Sequence, residues 1–199
     1  MQRGAPVAAM WSELVTESLL RPRSAARRIL AAGLTAGELL QAAVLVTCAG
    51  MVLGYVALSI SPGATDITAA VLEHPLLGAL AQLVIMAVAV VLTVRIGRLF
   101  GGSGGLSGAA ALVIWLNAMM VLVQILQIVA LALLPPLAAL LAVVTILWAF
   151  WAYANFVAEL HGFRSAPIVL GAVLLTTIVL FFGTAMLLAI LGITPPEVS

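Results

Sequence analysis

The stretch AAALVIWLNAMMVLVQILQIVALALL, residues 109–134, contains no charged side chain. It exceeds the roughly 20 residues that a helix needs to cross about 30 Å of hydrocarbon. An Arg or Asp near the centre of such a helix costs about 3 kcal/mol on insertion scales, so an uncharged window of this length reads as a membrane span. Four further windows, 39–60, 76–94, 137–158 and 167–193, are equally free of charge. The chain as a whole is 65% hydrophobic and 8% charged, whereas soluble domains carry about a quarter charged residues. The expected fold is therefore all-α, an integral membrane bundle of five transmembrane helices.

The residues outside these windows set the expected topology. All eight basic residues are arginines, at positions 3, 21, 23, 27 and 28 before the first window, 95 and 98 between the second and third, and 164 between the fourth and fifth. With five spans these segments share one side, and Asp66, Glu73, His74 and Glu197 fall on the other. The positive-inside rule then predicts a cytoplasmic N-terminus and an external C-terminus. The first apolar run is too long for the about 7–15 residues of a signal-peptide core and reads as an uncleaved anchor. A net charge of +1 gives no indication of a nucleic-acid partner. Cys48 is the one cysteine, so an intramolecular disulfide or thiolate cluster is excluded.

Along the chain, residues 1–9 read as disordered, 10–34 as a cytoplasmic amphipathic or interfacial segment, 35–194 as the transmembrane domain, and 195–199 as an external tail. The better-patterned segment begins at Met10, which suggests translation from that residue. In Met10–Leu30, Trp11, Leu14, Val15 and Leu19 can share an apolar face, and Glu17 and Arg21 stand in the favourable i,i+4 order. Pro22 interrupts the pattern. The arginines at 23, 27 and 28 follow, as in a helix lying in the headgroup region. Thr35-Ala-Gly-Glu38 matches a capping box at the start of the first span. Pro75, Pro136 and Pro167 suit first helical turns, where a missing N–H does no harm. The Leu134-Pro-Pro link is short enough to force an antiparallel hairpin.

Five amides inside the windows form the candidate polar core or pathway: Gln82, Asn117, Gln124, Gln127 and Asn155. Asn117, Gln124 and Gln127 recur on one side of the third span, which must face protein or water rather than lipid. Interhelical hydrogen bonding accounts for them; a path for a neutral solute or a lipid is the alternative. Gly50-Met-Val-Leu-Gly54 is a GxxxG pattern that permits close backbone approach. Trp115, Trp151 and Tyr153 fit an interfacial belt.

The turn GGSGG at 101–105 satisfies the letters of a G-x-S-x-G nucleophile elbow, and Ser103, His161 and Glu159 fall nominally on one side. That signature has meaning only on a strand-to-helix turn, and here it joins two spans. No catalytic residue, cofactor site or metal site is expected, since no metal-ligand or P-loop spacing occurs. The glycines are read as a tight reversal closed by Ser107 as N-cap of the third span. Their N–H groups beside Arg95 and Arg98 suggest a backbone nest for a lipid phosphate. Arg95, Arg98, Glu159, His161 and Arg164 are the candidate contacts for lipid or partner on this face.

A basic amphipathic lead with a proline, five spans, the GGSGGLSG turn, the Leu-Pro-Pro hairpin, a Trp-bearing fourth span and Glu159-Leu-His-Gly-Phe-Arg164 together resemble the Yip family. The likeness runs over roughly residues 18–192. That family is named for interaction with Ypt/Rab-type small GTPases, and its eukaryotic members work in ER and Golgi traffic. The short lead and the alanine- and arginine-rich composition resemble its bacterial branch, and the Tyr-Gly-Pro element of eukaryotic members is missing, so GTPase binding is not carried over. The resemblance implies a non-enzymatic multi-pass protein of a bacterial inner membrane. Its implied partners are the lipid bilayer, other membrane proteins or a second copy of itself.

Overall fold

The computed structural model describes residues 7–60 and 74–190. Seven helices are formed among these residues: α1 (Val7–Leu20), α2 (Pro22–Ala31), α3 (Ala36–Ile60), α4 (Pro75–Leu99), α5 (Leu106–Leu133), α6 (Pro135–His161) and α7 (Ala166–Ile190). Five of them, α3 to α7, are long and apolar enough to cross a membrane. They coincide with the five uncharged windows to within five residues at each described end. Asp66, Glu73, the last residues of the fifth window and the C-terminal tail lie outside the described residues.

Helix boundaries follow from local chemistry. At the start of α3 the capping box forms in both directions: the Thr35 N–H donates to Glu38 Oε2 at 2.8 Å, and the Glu38 N–H donates to Thr35 Oγ1 at 3.3 Å. Prolines occupy the first turns of α2, α4 and α6. A single residue, Leu134, separates α5 from α6, so the two pack as an antiparallel hairpin. Helix α6 ends where Gly162 takes the left-handed conformation, φ 74°, and the Phe163 N–H returns to the Ala158 carbonyl at 2.8 Å. Only glycine enters that conformation without strain.

Two expected boundaries differ. Helix α1 begins at Val7, three residues before Met10. Helix α5 begins at Leu106 with Gly105 as its N-cap and no side-chain cap, so Ser107 lies inside the first turn rather than before it.

Helix α5 is central, packing on α3, α4 and α6, while α7 packs mainly on α6. The main core draws on α2 through Ala26 and Ile29, on α3 through Leu39 and Ala43, on α4 through Met86, on α5 through residues 111–114, and on α6 through Phe156. It sits at the end of the bundle that carries the arginines, called here the basic end. Helix α7 contributes only Val169 to a small second cluster with Ala154, Val157 and Ala158. Most of its surface is left for lipid, as expected of a peripheral span.

The N-terminal helices dock on the bundle. Pro22 prevents α1 from running on, and α2 folds back beside it, packing on α6 and α5. The closest partners of the Glu17 carboxylate thereby lie on α2 rather than at Arg21. The carboxylate accepts from the Ser24 hydroxyl and from Arg28 Nη1, the latter at 2.9 Å, and Arg28 also reaches Glu13 at 3.5 Å. The expected Glu17–Arg21 pair is replaced because a proline between two short helices gives closer partners on the returning one.

Candidate functional site

The glycine turn and the end of α6 form one structure. His161 is 4% exposed, and its ring fills the space between the end of α4 and the 101–105 turn. Both ring nitrogens are used by backbone. The Gly104 N–H donates to Nδ1 at 3.1 Å, and Nε2 lies 3.1 Å from the Thr93 carbonyl. A carbonyl accepts and an amide donates, so the ring is the neutral tautomer with its proton on Nε2. Phe163 stacks on the other side, with ring centroids 5.5 Å apart.

The glycines are explained by that ring. A Cβ placed on Gly97 would lie 2.1 Å from His161 Nε2, on Gly102 2.4 Å from Nδ1, and on Gly104 2.7 Å from Cε1. Gly97 lets the imidazole reach the backbone of α4, and Gly102 and Gly104 let the turn fold over it. Gly108 does the same for Leu160 of α6 and Leu30 of α2, each 2.9 Å from a Cβ placed there. The turn is thus a cradle for one side chain.

This geometry changes the reading of three sequence features. The N–H groups of Gly101, Gly102 and Gly104 are taken by the Arg98 carbonyl, the Gly97 carbonyl and His161 respectively, so they do not form an open anion nest. His161 has no nitrogen left for Ser103, which is exposed, so the nominal Ser-His-carboxylate set is not assembled. His161 itself is buried rather than presented at the surface, whereas Arg95, Arg98 and Arg164 are exposed around the cradle. Arg98 Nη2 reaches the Gly104 carbonyl at 3.5 Å.

Glu159, in the last turn of α6, receives Arg23 Nε at 3.5 Å and Arg27 Nε at 3.4 Å from α2. Arg23 also donates to the carbonyls of Phe163 and Arg164, capping the C-terminal end of α6 where the helix dipole favours a cation. Helix α1 is tied down by tryptophans. Trp115 Nε1 donates to Ser18 Oγ at 2.8 Å, the Trp11 and Trp115 rings stack with centroids 5.8 Å apart, and Trp148 Nε1 donates to the Leu19 carbonyl at 3.4 Å. Sequence reading treats Trp115 as an interfacial anchor and misses its partner, because Ser18 lies 97 residues away. The basic end is therefore a plate of α1, α2, the glycine turn and the ends of α4 and α6.

The five amides separate into groups. Gln82 Nε2 donates to Asn117 Oδ1 at 3.3 Å, and Gln124 Nε2 reaches the Gly50 carbonyl at 3.5 Å. Gly50 lies close to Val121, giving the GxxxG pattern a contact with α5. These three amides line a cavity of about 270 Å³ between α3, α4 and α5, together with Thr47, which is 4% exposed and whose hydroxyl has no hydrogen-bond partner. Gln127 pairs instead with Thr145 at 3.5 Å, and Asn155 donates to its own helix at the Trp151 carbonyl, so neither joins that cavity.

A second and larger cavity, about 670 Å³, lies between α4 and α7, with α5 and α6 as its floor. Gly97 and Phe163, which enclose His161, also form its wall at the basic end, and Arg164 and Ser165 stand at its mouth. The Tyr153 hydroxyl, paired with Thr93 Oγ1, is among its few polar groups. No group of three or more metal-ligating side chains occurs among the described residues.

Comparison with known proteins gives one family match. A family model described as the Yip1 domain matches residues 16–187. No curated protein and no solved structure matches the chain.

Proposed function

The chain belongs to the Yip1 domain family, and on that premise we propose that it is a non-enzymatic scaffold or interaction protein of a bacterial inner membrane, with its basic end in the cytoplasm. The orientation rests on the arginines, which the positive-inside rule assigns to the cytoplasmic side. The observation that carries the reading is the plate. Its polar groups join helices to one another: the buried His161 to the glycine turn, the half-buried Glu159 to Arg23 and Arg27, and the buried Ser18 to Trp115. What remains exposed includes Arg21, Arg95, Arg98 and Arg164. A rigid basic surface at the membrane face is suited to holding acidic segments of other membrane proteins, or a second copy, through charge complementarity.

The test is cross-linking capture from the native membrane with wild type and two variant sets. R95Q/R98Q should lose the captured partner, whereas N117L/Q124L should keep it. Capture that survives loss of both arginines contradicts this reading.

A second reading, a small permease for a neutral solute or lipid, is favoured by one observation, the cavity lined by Thr47, Gln82, Asn117 and Gln124 with an unpartnered hydroxyl. Under that reading the double substitution N117L/Q124L leaves a folded protein without flux. An unchanged phenotype in cells removes it.

A further inference from the structure

We propose that the cavity between α4 and α7 holds an acyl chain of an anionic phospholipid from the leaflet at the basic end, with the lipid phosphate against Arg164. Its volume of about 670 Å³ falls within the roughly 300–1,000 Å³ of ligand-sized sites. Its lining runs from Ala89 of α4 to Phe100, the residue just past the end of that helix, and on α7 from Ile168 to Leu180. At 1.5 Å per residue these are lengths of about 16 and 18 Å. Half of a hydrocarbon core about 30 Å thick is about 15 Å, so the groove is as long as one leaflet is deep.

The groove is open to that leaflet because α7 packs mainly on α6 and leaves α4 unpaired along this side. Its walls are mostly apolar, with Leu92, Ile96 and Val173 typical of them, and no carboxylate lines it. Arg164 at the mouth is the one charged residue in the lining, is exposed, and has no ion pair among the described residues. The nearest acid in sequence, Glu159, is already held by Arg23 and Arg27. An unneutralised guanidinium above an apolar slot complements an anionic headgroup above a chain.

A lipid tail gains little by leaving bulk lipid for an apolar groove, since both surroundings are hydrocarbon. Preference for one lipid over another must therefore arise at the headgroup, and occupancy at the walls. The two are separable by mutation.

The full chain is reconstituted in nanodiscs of equal phosphatidylglycerol and phosphatidylcholine, then released for native mass spectrometry and lipid identification. Wild type should retain phosphatidylglycerol over phosphatidylcholine by about five-fold, the preference expected of one basic side chain at an anionic leaflet. R164K should keep that preference and R164Q should lose it. Both change an exposed side chain and leave the packing intact. A172F, which fills the groove, should lower retention of both lipids. Equal retention of the two lipids by wild type overturns the proposal, as does an unchanged preference in R164Q. Release of dimers that A172F abolishes also overturns it, because the groove would then be filled by a second copy.

Discussion

At the scale of single residues, the centre of the basic end is an uncharged histidine held by two backbone groups. Its cradle explains Gly102 and Gly104, which the sequence reads only as part of a tight reversal, and Gly97 in the last turn of α4. G97A should destabilise the protein by about 1–3 kcal/mol, the usual cost of forcing atoms into a filled space, measured as thermal unfolding in detergent. The same change in an H161A background should cost much less, since the ring it strikes is gone. That non-additivity is the signature of direct contact. The turn itself was legible in the sequence, and so was the poor fit of Ser103 to a nucleophile elbow. The partner of the turn was not, because His161 lies 57 residues beyond Gly104 and nothing local marks which loop it will enter. An excess of glycine over what a short turn needs was the available signal.

At the scale of elements, the five spans and several of their ends could be read directly, because uncharged windows, first-turn prolines and a capping box act through neighbours in sequence. The docking of α1 and α2 could not. Amphipathic patterning shows that a helix has an apolar face but not whether lipid or protein covers it, and here Ala26 and Ile29 of α2 belong to the protein core. E159Q should loosen α2 by removing the negative charge that two arginines share, and faster proteolysis near residues 21–28 reports it. The α1–α2 junction should also respond to acid. The hydrogen bond from Ser24, aided by Arg28 and opposed by partial burial, holds the Glu17 carboxyl below the usual carboxylate range. A depressed folded value means that the stabilisation is fully present above the unfolded value of about 4.3 and is lost as pH falls through the lower folded value. Tryptophan emission in a W148F/W151F background, which follows Trp11 and Trp115, should stay constant from about pH 8 to about pH 5 and change only below the ordinary carboxylate range. In E17Q that acid transition should be weakened.

At the scale of the whole molecule, packing is uneven. The basic end is tied together by a core, ion pairs and a buried histidine, while α7 is held along one side and leaves a groove beside α4. The amide stripe of α5, which the sequence marks as a bundle core or pathway, divides between helix joints and a small polar cavity. Such a molecule presents a firm face at one membrane surface and a compliant side to lipid. The central claim is the firmness of that face, and hydrogen–deuterium exchange on the chain in nanodiscs tests it most directly. The amides of Gly101, Gly102 and Gly104 should exchange as slowly as those of helix ends in wild type, and H161A should speed exchange across residues 98–108 and 160–165 together. Exchange of the 101–105 turn in wild type at the rate of an unstructured loop would contradict the account.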